Sequence, residues 1–222
     1  MSNVQQAFQG GKAFIGFLTA GDPNLDATAR YIKVMADNGA DLIEIGIPFS
    51  DPVAEGPVIQ AASGRALAGG ATTDRIFKMV ETVRPTVSIP LVFMTYMNPI
   101  YVYGTEKFFA RCAEVGISGV IVPDVPFEEK GDLTDVAAKH GITVISLIAP
   151  TSEDRIGMIA KEADGFVYLV SSLGVTGMRS KITTDIEALV KVIRRYTDIP
   201  VAIGFGISTP EQSKAMGDVS DG

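Results

Sequence analysis

A chain of 222 residues, 46% hydrophobic and 20% charged, is long enough to bury one sizeable core and reads as a single domain over residues 1–222. Its formal net charge of −7, with no basic cluster beyond the Arg194–Arg195 pair on a solvated helix face, argues against nucleic acid and against an anionic membrane as partners. No signal-peptide pattern and no apolar run approaching the ~20 residues of a membrane span is present, and a single cysteine cannot form an internal disulfide, so a reducing cytoplasm is the expected compartment.

Short apolar runs rich in Val, Ile and Phe alternate with segments of helical periodicity. The strand "AFIGFLTA" precedes a helix over Ala27–Asn38, and "LIEIGIP" precedes one over Thr73–Val83. The runs "LVFMTYMNP", "GVIVPDVP", "TVISLIAP" and "GFVYLVSS" precede helices over Lys107–Val115, Asp132–His140, Asp154–Glu162 and Ile186–Tyr196. Several of these helices end in glycine, as "DNGA", "EVGI" and "KHGI" do, which suits a helix C-terminus. A last strand, "VAIGFGIS", leads into "TPEQSKAMGDVSDG", a capped helix followed by a turn. Strands apolar on both faces and alternating with helices predict a parallel sheet covered by helices, and about seven such units without a GxGxxG opening favour a TIM (β/α)8 barrel over a doubly wound sheet. The chain reads as truncated before the eighth strand and helix, which predicts an open groove between the first and seventh strands.

Barrels of this kind carry their chemistry at the C-terminal ends of the strands. Those positions hold Thr19, Asp22, Glu44, Asp51, Glu55, Thr95, Tyr96, Asn98, Asp124, Thr151, Tyr168 and Ser171. Glu44 stands out because it interrupts an apolar run, where an unpaired carboxylate costs several kcal/mol. No predicted strand contains a lysine for a Schiff base, and the only histidine, His140, falls at a helix end, where an exposed residue near the helix dipole is expected. A His-ligated metal site is therefore not expected, and Cys112, on the apolar side of a helix, is expected to be buried and structural. Carboxylate acid–base chemistry remains. Gly174, Gly177, Gly204 and Gly206 follow the last two strands, where glycines either admit an anion to backbone N–H groups or simply make tight turns. With Glu44 they suggest a phosphorylated small molecule handled by proton transfer.

The segment "LIEIGIPFSDPVAEGP", followed in order by "MTYMNP", "VPDVP", "SLGVTG" and "GFGISTPEQ" and preceded by "FLTAGDP", resembles the tryptophan synthase alpha subunit family from about Phe14 to the end of the chain. The resemblance implies retro-aldol cleavage of indole-3-glycerol phosphate to indole and glyceraldehyde 3-phosphate, without metal or Schiff base. Glu44 falls on the family's catalytic glutamate, which moves protons between a glycerol hydroxyl and indole C3. Its apolar surroundings are expected to favour the neutral, proton-donating form. Glu55 falls on the acidic position that stabilises the charge developing on the indole ring through its N–H. The family usually has aspartate there, and the extra methylene lengthens the side chain by ~1.5 Å. Asp51 reads as a loop-ordering, turn or partner-contact residue.

Phe17, Tyr96 and Tyr168 resemble residues around the indole and glycerol portions of the substrate. Thr176 and Gly177 fall on the loop that closes over it, and Gly204, Phe205 and Gly206 on the next. "SDPV" and "MNPI" resemble loops facing the beta subunit, with which an alpha2-beta2 heterotetramer is implied. Pyridoxal phosphate is expected only in that partner, so this chain is expected to carry no cofactor. Two alternatives stay open: a barrel that docks on the beta subunit and modulates it with little turnover, and a stand-alone indole-glycerol-phosphate lyase.

Overall fold

A computed structural model describes residues 3–150, 155–171, 186–204 and 206–222. Parallel strands and helices alternate along it. The strands are β1 (Ile15–Thr19), β2 (Leu42–Gly46), β3 (Leu91–Met94), β4 (Gly119–Ile121), β5 (Thr143–Val144), β6 (Ser146–Ile148), β7 (Val167–Val170) and β8 (Val201–Gly204). They run β1-β2-β3-β4-β5 in one sheet and β6-β7-β8 in the other. β5 and β6 are halves of the single strand predicted from "TVISLIAP", parted at Ile145.

The helices are α1 (Leu25–Asp37), α2 (Pro57–Ala68), α3 (Thr73–Val83), α4 (Met97–Tyr103), α5 (Thr105–Glu114), α6 (Gly131–Lys139), α7 (Ile156–Glu162), α8 (Ile186–Ile193) and α9 (Pro210–Val219). Capping agrees with the local sequence. Asn24, Thr72 and Thr209 accept hydrogen bonds from the N–H groups of Ala27, Arg75 and Gln212, opening α1, α3 and α9. α8 ends at Ile193, so the Arg194–Arg195 pair lies just beyond the helix and not on it; Arg194 pairs with Asp221 at 2.9 Å.

Side chains alternate across each strand and divide the core in two. Ile43, Ile45, Leu91, Phe93 and Val120 pack outward against α1, α3 and α5, while Ile148, Val167, Leu169, Val201 and Ile203 pack outward against α7 and α8. Leu42, Val92, Ile121, Ile145, Tyr168 and Ala202 point inward and fill the lumen. A 3-10 turn, Asn3–Phe8, plugs the N-terminal end of the barrel with Val4 and Ala7, and Phe8 meets Phe166 at 5.5 Å between ring centroids.

β1 and β8 share no ladder. The groove expected between the first strand and the last is present, and it is bridged at its base: Ala13 N–H donates to Asp221 C=O (2.8 Å), Asp221 N–H to Val201 C=O (2.9 Å) and Ile203 N–H to Gly222 C=O (3.0 Å). Asp221 and Gly222 thus take the place of the first residues of a strand between the two edges. Among the described residues no further backbone hydrogen bond joins them.

Candidate active site

Phe17, Glu44 and Val92 stand side by side in the registers of β1, β2 and β3. In-register neighbours share a face, and Val92 belongs to the lumen cluster, so Glu44 projects into the barrel. It is 3% exposed, and its carboxyl has no hydrogen-bond or charged partner among the described residues to offset that burial. Burial alone pushes its carboxyl from an ordinary 4.5 to about 8. At neutral pH the group is therefore protonated, a donor held in an apolar chamber.

Two aromatic rings frame that chamber, each lying on a glycine. A Cβ on Gly46 would meet Phe17 Cζ at 2.7 Å, and one on Gly204 would meet the Tyr168 hydroxyl oxygen at 2.0 Å and its Cζ at 2.3 Å. The strands lack side chains at these two points so that the rings can lie flat across them. Gly206 follows with φ +76°, in the left-handed region that favours glycine.

Glu55 comes from the loop between β2 and α2. It is half-buried, and one of its carboxylate oxygens, Oε2, is buried with no hydrogen-bond partner. Burial raises its pKa, and a hydrogen bond from Tyr96 opposes that rise in part. Tyr96 is 2% exposed, and its hydroxyl also accepts the Ala54 N–H at 3.1 Å, pinning the loop that carries Glu55. Burial is the main reason that the Tyr96 phenol is raised well above its ordinary value, so it serves as a donor and not as a base. The Phe49 ring packs on Tyr96 at 5.5 Å.

Tyr96 is placed by a cap that crosses strands. α4 begins directly after it, and the carboxylate of Asp124, from the loop after β4, accepts the Met97 N–H at 3.0 and 3.2 Å. Asp124 therefore organises the mouth from the side. Asp22 does the same on the far flank through a two-point pair with Arg65 at 2.9 and 2.7 Å, and this pair lowers the Asp22 pKa. Asp51 is exposed and accepts a hydrogen bond from its neighbour Ser50, as a turn residue would.

Of the residues singled out from sequence, the structure brings Phe17 beside Glu44, Glu55 beside Tyr96, and Tyr168 beside Gly204. Thr176, Gly177 and Phe205 lie outside the described residues, as do Thr151 and Gly174. Sequence reasoning missed Gly46 and Ala54. A glycine ending an apolar strand was the available signal for the first; nothing local marks a backbone N–H such as that of Ala54.

The family model described as tryptophan synthase alpha chain matches residues 3–222. The chain belongs to the tryptophan synthase alpha chain family. Curated members from Lactiplantibacillus plantarum and Lacticaseibacillus casei are 50% identical over 223 residues and 46% over 222, each spanning 100% of this chain and 84% of the relative. A tryptophan synthase structure from Mycobacterium tuberculosis aligns with TM-score 0.91 at 32% identity, covering 99% of this chain and 86% of that one. The Legionella pneumophila alpha chain aligns with TM-score 0.89 at 34% identity, covering 100% and 84%. These matches establish the α/β barrel fold.

Proposed function

We propose that the chain cleaves indole-3-glycerol phosphate to indole and glyceraldehyde 3-phosphate, as a lyase of tryptophan biosynthesis, with Glu44 as the proton carrier and Glu55 as the anchor of the indole N–H. The observation that carries this reading is the isolated Glu44 carboxyl, buried in the lumen and protonated at neutral pH.

The chemistry needs one proton delivered and one removed. Indole C3 takes the proton of Glu44, which turns the ring into an indolenine with positive charge on nitrogen. The bond between C3 and the adjacent glycerol carbon then breaks, its electrons return to the ring, and the hydroxyl on that carbon becomes the aldehyde as its proton passes to the Glu44 carboxylate. The residue ends as it began, so a single buried carboxyl suffices. The unpartnered Glu55 Oε2 offers an acceptor to the ring N–H as the positive charge grows, a contact stronger in the transition state than before it. Phe17 and Tyr168 flank the ring and the glycerol chain. Gly204 and Gly206, with Phe205, Thr176 and Gly177, are assigned to the phosphate end and the closing loop.

The partner is the beta subunit, which would hold the pyridoxal phosphate and receive the indole in an alpha2-beta2 assembly. Support comes from apolar side chains left exposed around the mouth: Val53 and Val58 beside the Glu55 loop, and Tyr101 and Val102 on α4, at 63–76% exposure. Among the described residues no helix is long and apolar enough to cross a membrane, in keeping with action in the cytoplasm.

The test is indole release from indole-3-glycerol phosphate by the chain alone and with added beta subunit. Release that increases with the beta subunit supports the reading. Stimulation of tryptophan formation from supplied indole, without any indole release, would instead make the chain a docking modulator.

A further inference from the structure

Tyr96 stands alone between the last rung of a ladder and the first residue of a helix. Thr95 N–H donates to Ile121 C=O at 3.0 Å, continuing the pairing of β3 with β4 past Met94, and α4 begins at Met97. Tyr96 itself is extended, at φ −104° and ψ 163°, and its side chain makes no cap hydrogen bond to the helix that it precedes. Asp124 supplies the cap, with both carboxylate oxygens on the Met97 N–H at 3.0 and 3.2 Å. A carboxylate is favoured there by the charge-assisted hydrogen bond and by the positive end of the helix dipole. The residues on either side of Tyr96 are thus tied to β4 and to the loop that follows it.

The far end of Tyr96 is tied to the opposite flank. Its hydroxyl accepts the Ala54 N–H at 3.1 Å and donates to the Glu55 carboxylate. Three loops, those after β2, β3 and β4, are joined in this way by one side chain. Asp124 is exposed, and among the described residues it forms no ion pair; the Met97 N–H is the one donor that its carboxylate meets. An exposed carboxylate that neutralises no cation and sets both oxygens on one N–H acts as a fixed point for the backbone at Tyr96.

We infer that Asp124 is a positioning residue for the cleavage reaction, one that fixes the start of α4 and with it the Tyr96 hydroxyl that orients Glu55. The inference rests on the cleavage reading above and adds to it a residue that acts through Tyr96. Placement errors of about 1 Å at a reacting centre are costly, and the Glu55 contact strengthens as charge grows on the ring, so loss of the cap is felt in kcat more than in KM.

The test is steady-state indole release from indole-3-glycerol phosphate with saturating beta subunit, so that weaker docking is not read as weaker catalysis, each variant being confirmed as folded by its thermal melt. Asp124→Ala should lower kcat about tenfold or more while KM changes less than about threefold. Asp124→Asn keeps an acceptor oxygen at the same point and should stay within about threefold of the wild-type kcat, whereas Asp124→Glu, which keeps the charge but moves the acceptor, should resemble the Ala variant. In Tyr96→Phe, where the hydroxyl link is gone, adding Asp124→Ala should lower kcat by less than about threefold further. A cap that only stabilises the fold would lower the melting temperature and leave kcat unchanged. Retained kcat in Asp124→Ala, or an equal loss with and without the Tyr96 hydroxyl, overturns the inference; if the Ala variant does not fold, Asp124→Glu carries the same comparison in both backgrounds. A wild type that releases no indole defeats the cleavage reading and this inference with it, whereas a wild type that cleaves beside an equally active Asp124→Ala or Asp124→Glu defeats this inference alone.

Discussion

Replacing Glu44 by Gln should stabilise the protein, and by more at high pH than at low. Burial holds the native carboxyl at about 8 against an ordinary 4.5. Between those values the native state keeps a proton that the unfolded chain has lost, so wild-type stability falls as pH rises through this window and levels off above it. At ~1.4 kcal/mol per pH unit, the gap from 4.5 to about 8 sets a ceiling of roughly 5 kcal/mol. The amide of Gln is neutral throughout and nearly isosteric. The stability difference between variant and wild type should therefore be small near pH 5 and grow to a substantial share of that ceiling by pH 8.5. Every other titrating group is common to both proteins and cancels in the difference. Urea unfolding at a series of pH values reads it out, because a change of roughly 1.5 kcal/mol moves the midpoint visibly when the slope is about 1–3 kcal/mol per molar. Parallel stability profiles for the two proteins would refute the claim that Glu44 is buried and protonated.

Three further outcomes follow from the same geometry. Glu55→Asp should preserve or improve cleavage, since it shortens the side chain without removing the acceptor, whereas Glu55→Ala should lose most of it; an active Ala variant would make this position a bystander. Gly204→Ala puts a methyl group where the Tyr168 hydroxyl lies, at 2.0 Å, so kcat/KM should drop at least ~10-fold with KM affected more than kcat. Unchanged kinetics would mean that the Tyr168 ring does not contact substrate. Cys112 is fully buried on α5 and burial raises its thiol well above the ordinary range, so labelling by a thiol reagent should track global unfolding; fast labelling of the native protein would contradict the packing of α5.

The repeating strand and helix pattern was legible because both faces of a covered parallel strand are apolar and three of the helices carry their own side-chain caps. Asn24, Thr72 and Thr209 each act within the segment that they open. α4 was invisible for the opposite reason. Its sequence, "MNPIYVY", is aromatic and β-branched, and its cap comes from Asp124, in the loop after β4. α2 was missed because "AASGRALA" mixes small residues with Ser63 and Gly64, weak helix formers without a clear apolar stripe. It is shaped to lie close to the turn after β1, where a Cβ on Gly21 would come within 3.2 Å of Ala66.

The site divides along the same line. Glu44 could be found because a carboxylate in an apolar strand conflicts with its surroundings, and such conflicts tend to mark function. The ring slots at Gly46 and Gly204 could not, because a strand glycine announces a close approach without naming what approaches. The break at Ile145 was equally hidden: "TVISLIAP" reads as one strand, and only pairing with different neighbours on its two sides parts it there.

In the proposed reaction Glu44 donates its proton to indole C3 and then takes the proton of the glycerol hydroxyl. Single-turnover indole release from indole-3-glycerol phosphate, compared between the wild type and Glu44→Gln with the beta subunit present, tests it most directly. The account predicts that the substitution lowers the rate by about 10²–10⁴-fold while substrate binding is kept, and that the wild-type rate declines as pH rises through about 8, where Glu44 loses its proton. A variant retaining more than about a tenth of the wild-type rate would contradict it.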